Sequence, residues 1–423
     1  MCQQPNRGQF VIKGVDHIFA IDSTLKAHLP QFDSLEGLSH VAVAVSGGSD
    51  SLALLRLVLA WRNLQTPLPR ISALTVDHGL RAASADEAVA VARWCASLAI
   101  PHHILPWRGE KPKTGLQAKA RVARYDIMAQ WCLSHCALVL LTGHTADDQA
   151  ETVLMRSART SSDRSLAGIW PERDWQGVRV MRPLLASRRE HLRDYLTSLG
   201  QEWIDDPSNL DPRFERVRVR QALAGRDISP LQEQAAHSLQ VTLAQQSIVD
   251  SWMAKHGRID EWGCIWLPRS QLSGCELEAR LGILRHCIQQ AGGSDNLSPD
   301  ALRNLQDWAV VHQTGRRTLG GALVMLRRDH VLVAREAGRI SRQPQLVPAG
   351  GQLLWDERFM VTAPPGSLVG SGLTFKANFR LKNVPHSVQL AMPHVKLAGG
   401  DCVLAQKIAR NGVSATICEP KPK

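Results

Sequence analysis

Val41-Ala-Val-Ala-Val45 runs directly into Ser46-Gly-Gly-Ser-Asp-Ser51, and Leu52-Ala-Leu-Leu-Arg-Leu-Val-Leu-Ala60 follows. Five small or β-branched apolar residues in a row predict a short strand buried on both faces, as inside a parallel sheet. The apolar run stops at a serine and two glycines, then resumes with helical composition. The order is therefore strand, glycine turn, helix.

That turn suits a phosphate. Gly47 and Gly48 open backbone angles closed to other residues and let an anion approach the main chain. The free N–H groups and the dipole of the following helix favour negative charge at the same spot. Ser46, Ser49 and Ser51 add hydroxyl donors. Asp50 would repel a phosphate unless it holds Mg²⁺, which then bridges to it. No Lys follows the glycines, so this is not the GxxxxGK[ST] loop of common nucleotide hydrolases.

Three more strands are predicted outward from this unit. Arg70-Ile-Ser-Ala-Leu-Thr-Val76 ends in Asp77-His-Gly-Leu-Arg81, at the carboxyl edge where open α/β sheets bind ligands. Ser84 is expected to cap the helix that follows, through Ala99. His102-His-Ile-Leu-Pro-Trp107 is the third strand. The helix over Thr114–Ser134 carries Ala120-Arg-Val-Ala-Arg-Tyr125, with Arg121 and Arg124 on one face. Ala137-Leu-Val-Leu-Leu141 is the fourth strand, and it delivers Thr142-Gly-His-Thr-Ala-Asp-Asp-Gln-Ala-Glu-Thr152. Acidic residues in a first helical turn ordinarily complement the dipole. Here they share the sheet edge with Asp50, so Asp50 and Asp147 can share one Mg²⁺, and His144 can hydrogen-bond a phosphate. Strand and helix alternating four times predict a doubly wound parallel sheet of the α/β class.

Further on, residues 157–178 lack hydrophobic period and are expected to form a long loop beside the site. Ser187-Arg-Arg-Glu190 is expected to start a helix through Leu199 as a capping box. Arg213, Arg216, Arg218 and Arg220 form either a solvated face or a track for a phosphate backbone. The expected domains are 1–225, the nucleotide-binding unit; 226–338, a helical second domain; and 339–423, a small C-terminal α+β domain. The second domain should hold helices over Pro230–Lys255, Glu276–Gln290 and Pro299–His312, then a hairpin with a basic turn at Arg327-Arg-Asp-His330. In the third, strands are expected over Leu353–Val361 and Val388–Val395, the latter at a sheet edge because of Pro393, with a loose tail from Ala409. An amphipathic helix carrying Phe19, Ile21, Leu25 and Leu29 is expected ahead of the first strand.

Bulk properties narrow the class. At 423 residues, two or three domains are natural. A formal charge of +11 points to a polyanionic partner. Nine cysteines with no C-x-x-C pair argue against a disulfide framework and against zinc or iron–sulfur sites, and suit a reducing cytoplasm. The first 20 residues, broken by Arg7, Lys13 and Asp16, lack the apolar core of a signal peptide. No apolar run approaches a membrane span.

Six motifs occur in one order: SGGSDS at 46–51, VDHGLR at 76–81, ARVARY at 120–125, GHTADDQAET at 143–152, RPLL at 182–185 and WIDDPSN at 203–209. In that order they resemble the tRNA(Ile)-lysidine synthetases, of the PP-loop ATP pyrophosphatase superfamily with its adenine nucleotide alpha hydrolase-like fold. The resemblance is dense over residues 40–220. It implies a cytoplasmic, often dimeric ligase that uses ATP and Mg²⁺. Its substrates would be free L-lysine and an isoleucine tRNA with a CAU anticodon. ATP would adenylate the oxygen on the second ring carbon of the wobble cytidine, and lysine would displace AMP to give lysidine. Under that resemblance Ser46 to Ser51 cradle pyrophosphate, Asp50 and Asp147 hold the metal, and His144, Arg121 and Arg124 serve the α-phosphate. His78, Arg81, Asp148 and Glu151 would contact lysine or tRNA, and the basic remainder of the chain would bind tRNA. Two departures stand out. The family's Arg-Gly-Ser-Gly is here Arg156-Ser-Ala-Arg159, and its Arg-Asn pair is Arg216-Val217. Two other readings are another PP-loop tRNA-modifying adenylase, such as a thiolase, and a non-catalytic ATP- or RNA-binding relative.

Overall fold

Strand and helix alternate from β1 (His40–Ala44) through α1 (Ser49–Arg62), β2 (Arg70–Asp77), α2 (Ala83–Ser97), β3 (His102–Pro106) and α3 (Leu116–Ser134) to β4 (Val139–Leu141). A computed structural model of the chain describes residues 29–77, 83–108, 116–205, 211–294, 297–356, 358–376, 384–397, 402–405 and 413–417. After β4 come α4 (Ala146–Ser157), the short α5 (Asp163–Leu166), β5 (Glu172–Trp175), β6 (Val178–Met181), α6 (Arg189–Ser198) and α7 (Glu215–Leu223). The six strands form one sheet in the order β3-β2-β1-β4-β6-β5. All neighbours are parallel except β5 with β6. This is the expected doubly wound sheet with one antiparallel edge.

The alternation inside β1 explains its burial on both sides. Val41, Val43 and Val45 face a core built from α1, α2 and α6, including Leu52, Leu55, Val91, Leu192 and Leu196. Ala42 faces the other way, with Leu74 and Leu140, onto Tyr125, Met128 and Cys132 of α3. The small alanine allows α3 to approach; the branched valines fill the deeper side.

Local features depart from expectation in identifiable ways. Residues 157–178 are not one long loop. They hold α5 and a hairpin whose turn residues Gln176 and Gly177 have φ of 56° and 84°, as a type I′ turn requires. The strand Glu-Arg-Asp-Trp is polar and lies at the sheet edge, so it carries no apolar alternation. Ser187 does not cap α6. The N-cap is Arg188, with no side-chain cap bond, and Arg189 N donates instead to Asp147 Oδ2 at 2.7 Å. The expected helix with Phe19, Ile21 and Leu25 lies outside the described residues, and Ser84 is the second residue of α2 rather than its cap, since the helix already starts at Ala83. Leu29–Leu35 is a 3-10 turn that buries Phe32 and Leu35.

By contact density the chain forms two units, divided at Ser238. That point falls inside a long helix, α8 (Ser229–His256). The second unit contains the two further expected helices, α10 (Leu277–Gly292) and α11 (Pro299–Val311), after the short α9 (Arg269–Ser273). They pack on a five-stranded sheet, of which the sequence predicts one hairpin. β7 (Arg258–Ile259), β8 (Ile265–Pro268), β9 (Gly315–Leu319), β10 (Ala322–Leu326) and β11 (His330–Arg335) form it in the order β7-β8-β11-β10-β9. The hairpin with the basic turn is β10–β11.

Beyond residue 339 lie β12 (Gln345–Leu346), β13 (Gln352–Trp355), β14 (Phe359–Thr362), β15 (Leu368–Ser371), α12 (His386–Gln389), β16 (Pro393–Lys396), β17 (Cys402–Leu404) and β18 (Ser414–Ile417). The expected strand over Leu353–Val361 is the β13–β14 hairpin. β16 is interior, between β15 and β17, and Pro393 is tolerated because it opens the strand. The expected tail from Ala409 includes β18, which pairs with β14.

A histidine group marks the amino edge of the first sheet. His40 Nδ1 donates to His135 O at 3.0 Å, so its Nε2 accepts from Ser72 Oγ at 2.9 Å. Thr75 Oγ1 donates to Val45 O at 2.6 Å and therefore accepts from His102 Nε2 at 2.8 Å. Burial, with Arg70 and the neighbouring histidines His103 and His135, holds His40 and His103 below the ordinary imidazole pKa; burial and His103 do the same for His102. The folded state thus prefers the neutral rings, and the unfolded chain takes up protons first. The contribution is complete above about pH 6.5 and is lost as pH falls below it. The urea midpoint should drop between pH 7.5 and pH 5, and drop less in His40→Asn. Equal midpoints at both pH values would refute this.

Candidate active site

β1 and β4 are neighbours, pairing Ala42 with Leu140 and Val43 with Leu141. Strand order reverses between them, so their carboxyl ends open a crevice. The glycine loop leaves β1 and the Thr142–Thr145 turn leaves β4. Ser51 holds the glycine loop shut: its Oγ accepts from Ser46 N at 3.1 Å and donates to Gly48 O at 2.9 Å. Gly47 has φ 88°, and an added Cβ would lie 2.8 Å from Ile204 Cδ1. Ile204 N also donates to Gly47 O at 2.9 Å. The Trp203–Asp205 stretch therefore lies over the loop. Arg193 helps hold it there, through Asp205 Oδ1 at 2.7 Å and Ser49 Oγ at 3.4 Å.

The two strand ends touch at Gly143. A Cβ there would sit 2.8 Å from Asp50 O and 3.0 Å from Ser51 N. This close approach brings Asp50 beside the acidic first turn of α4. There Thr145 and Asp148 form a reciprocal capping box, with Asp148 Oδ2 accepting from Thr145 N at 2.9 Å.

The carboxylates at this edge are all engaged by arginines. Arg189 Nε donates to Asp50 Oδ2 at 2.9 Å, and its Nη2 to Asp148 Oδ1 at 3.0 Å. Arg216 reaches Asp148 Oδ1 at 3.0 Å and Glu151 Oε2 at 2.7 Å, while Arg220 reaches Glu151 Oε1 at 2.7 Å. Asp147 accepts from Arg189 N and lies 3.3 Å from Arg188 Nε. Glu151 is 1% exposed, and it joins α7 to α4. Burial raises the Asp50 pKa, aided by Asp148 and partly offset by Arg189. Burial also pushes Asp148 up, but Arg216 and Arg189 outweigh it and hold the carboxyl below the usual aspartate range.

His144 is neutral here. Burial, together with Arg121, Arg182 and Arg216, overrides the pull of Asp148 and brings its pKa down to about 3. It acts as a hydrogen-bonding ring rather than a cation, with Nδ1 3.0 Å from Thr142 Oγ1. Arg121 lies over the Tyr125 ring at 5.4 Å, and Arg124 is exposed on the same helix. Arg182 of the RPLL motif is buried, with Nη1 donating to Trp170 O at 2.6 Å. Behind the cluster is a cavity of about 260 Å³ lined by Asp147, Glu151, Arg188, Arg193, Leu223 and Ile228, among others.

The expected residues Ser46–Ser51, Asp147, Asp148 and Glu151 thus meet at one edge, with His144 on the turn between them. His78 and Arg81 lie outside the described residues. Sequence reading missed Arg189 as a partner of Asp50 and Asp148. The available signal was chemical: several carboxylates at one strand edge need counter-ions, and RRE begins a helix at the next edge position.

The fit to Mg²⁺ rests on the donor set. Asp50 in the phosphate loop and Asp147 in the first turn of α4 offer hard oxygens, and Mg²⁺ typically takes one or two carboxylates plus substrate phosphates rather than an all-protein cage. Among the described residues no group of three or more His, Cys, Asp or Glu side chains could hold a metal by itself.

Residues 21–226 match a PP-loop domain model. The chain is 34% identical over 390 residues to a tRNA(Ile)-lysidine synthase of Ruegeria pomeroyi, covering 89% of this chain and 91% of that one. It is 41% identical over 349 residues to the enzyme of that name from Rhodopseudomonas palustris, covering 78% and 99%. For the one from Mesorhizobium japonicum the figures are 38% over 336 residues, covering 77% and 73%. With the strand–glycine loop–helix unit at the centre of the sheet and relatives matched along most of its length, the chain belongs to the tRNA(Ile)-lysidine synthase family.

Proposed function

We propose that this enzyme, an ATP-using PP-loop protein that modifies tRNA, ligates free L-lysine to the second ring carbon of the wobble cytidine in isoleucine tRNA bearing a CAU anticodon. The observation that carries this reading is the contact at Gly143, which sets a phosphate loop directly beside a carboxylate–arginine cluster and an adjoining cavity of mixed charge.

The chemistry divides into two displacements. In the first, the cytidine oxygen attacks the α-phosphorus; the bond to the bridging oxygen breaks and pyrophosphate leaves. The loop from Ser46 to Ser51 holds the departing phosphates with main-chain N–H groups and the dipole of α1. Asp50 and Asp147 would hold Mg²⁺, which supplies charge neutralisation. His144 offers a neutral N–H donor, and Arg121 and Arg124 supply positive charge near the α-phosphate. In the second, the amine nitrogen of lysine bonds to the ring carbon and the carbon–oxygen bond breaks, so AMP leaves with the oxygen. Asp148 takes the other amine of lysine in this reading because it is 8% exposed against 1% for Glu151, although its Oδ1 also accepts from Arg189 and Arg216 and its Oδ2 from Thr145 N. Arg188 and Arg193 suit the lysine carboxylate, and Leu223 and Ile228 its aliphatic stem. The regions 226–338 and 339–423, the second carrying eleven Lys and Arg against four Asp and Glu, are the proposed tRNA-binding domains.

Incorporation of labelled lysine into purified tRNA, with ATP and Mg²⁺, tests this reading. Label should enter CAU-anticodon isoleucine tRNA and not methionine tRNA. Pyrophosphate release without label would keep the adenylase and reject lysine as nucleophile. Absence of both signals would refute the proposal.

Gly143→Ala should lower turnover at least about tenfold and destabilise the fold by about 1–3 kcal/mol, because backbone rather than a movable side chain meets the new Cβ. Wild-type values in both assays would show that the two strand ends can separate without cost.

A further inference from the structure

Arg189 holds the two halves of the site at once. Its Nε bonds Asp50 Oδ2 at 2.9 Å, its Nη2 bonds Asp148 Oδ1 at 3.0 Å, and its Nη1 lies 3.7 Å from Glu151 Oε1. Asp50 belongs to the phosphate loop and Asp148 to the cluster beside the cavity. The main chain at Arg189 is pinned, since its N–H donates to Asp147 Oδ2 at 2.7 Å in the first turn of α6. The guanidinium can therefore change partners only by rotation about its own side-chain bonds. With four carboxylates (Asp50, Asp147, Asp148, Glu151) facing four arginines (Arg188, Arg189, Arg216, Arg220), the cluster is electrically balanced without ligands.

Balance of this kind has a consequence for binding order. An ammonium group arriving at Asp148 meets a carboxylate that two arginines already share, so it gains little Coulomb energy and must displace a charge-assisted hydrogen bond. A metal-bound triphosphate changes the count. Asp50 would then hold the metal, and the phosphates would bring net negative charge that a planar guanidinium binds well. Arg189 is the arginine that loses a partner in this exchange, and the only one of the cluster bonded to Asp50 among the described contacts.

We infer that Arg189 is an exchangeable counter-ion that makes the amine site conditional on nucleotide: with metal–ATP bound, Asp50 would leave Arg189, the guanidinium would move to the phosphates, and Asp148 Oδ1 would be left with Arg216 alone and open to the incoming amine. This rests on the lysine reading above. It makes Arg189 a positioning residue for lysine and gives lysine and nucleotide a reciprocal coupling. It also orders the reaction so that the amine is held at the site after the nucleotide that creates its target.

Calorimetric titration of L-lysine into the full-length protein, with and without Mg²⁺ and a non-hydrolysable ATP analogue, tests the coupling apart from turnover. In the native protein the analogue should tighten lysine binding at least about tenfold, equivalent to about 1.4 kcal/mol, and lysine should tighten analogue binding by the same factor. In Arg189→Met, lysine should bind without nucleotide about as well as it binds the native protein with it, and the coupling should vanish. Arg189→Lys keeps the charge but cannot span both carboxylates, and should retain less than half of the coupling energy; it also serves if the Met variant does not fold. Lysine affinity independent of the analogue in the native protein, or coupling fully retained in either variant, would overturn the inference alone. Absence of lysine binding to the native protein in every state would overturn the lysine reading and the inference with it.

Discussion

Asp50→Ala should lower lysine incorporation by at least about a thousandfold while leaving tRNA affinity within about twofold of native. The first figure follows from what Asp50 is asked to do. It is the carboxylate inside the phosphate loop, and removing one preorganised electrostatic group at a reacting phosphate costs about 10²–10³ in rate; here the metal would lose one of its two protein oxygens as well. The second follows from the source of tRNA affinity, which is phosphate contact spread over many basic side chains. The variant also frees Arg189 Nε, now 2.9 Å from Asp50 Oδ2, to remain on Asp148. Paired measurements of steady-state incorporation and filter binding of tRNA decide the matter. If turnover survives within tenfold, the metal role given to Asp50 is wrong.

Glu151→Ala should be the most destabilising single change in this cluster, by about 3 kcal/mol. Glu151 is 1% exposed and accepts from Arg216 at 2.7 Å and Arg220 at 2.7 Å. Removing one partner of a buried pair typically costs about 3–5 kcal/mol, because uncompensated charge is left behind. The value sits at the lower end because Arg216 and Arg220 are 41% and 34% exposed, so water recovers part of the loss. The structural result is loss of the tie between α7 and α4, which should appear as earlier urea unfolding. Glu151→Gln keeps an acceptor and the shape, and should cost less than half as much. The Glu151→Ala cost should shrink in an Arg216→Ala background, since the two residues act together. A cost below about 1 kcal/mol for Glu151→Ala would mean the arginines find other partners, and that the carboxylate is present for substrate rather than for the fold.

These two residues differ in how they could be recognised. Asp50 was readable from its neighbours in the chain. An acid between serines, after two glycines and a buried strand, has few explanations besides a metal at a phosphate. Glu151 has the same apparent standing, an acid near a helix start at the same sheet edge, and the family resemblance implies a substrate contact for it. Its partners Arg216 and Arg220 lie 65 and 69 residues away in the chain. On their own, those arginines suggested a solvated face or a phosphate track. In α7, residues 216 and 220 are one turn apart and present a single face to Glu151, whereas Arg218 points elsewhere and bonds Pro212 O at 2.7 Å.

What the sequence determined by itself is the unit from Val41 to Ala60, the four parallel strands, the phosphate loop and the presence of acids at two strand ends. These follow from short-range causes: side-chain periodicity, the backbone freedom of Gly47 and Gly48, and hydroxyls and acids placed where a strand must end. Tertiary structure alone decided which arginine neutralises which acid, that Arg189 spans Asp50 and Asp148, that Ile204 covers Gly47, and that Glu151 is a buried joint. It also decided that polar β5 is a strand at all, and that β16 is interior. Each of these depends on where an element lands after the chain has crossed the sheet. Charge pairing acts through space over a few ångströms, between residues whose separation along the chain, 139 for Arg189 and Asp50, leaves no local trace.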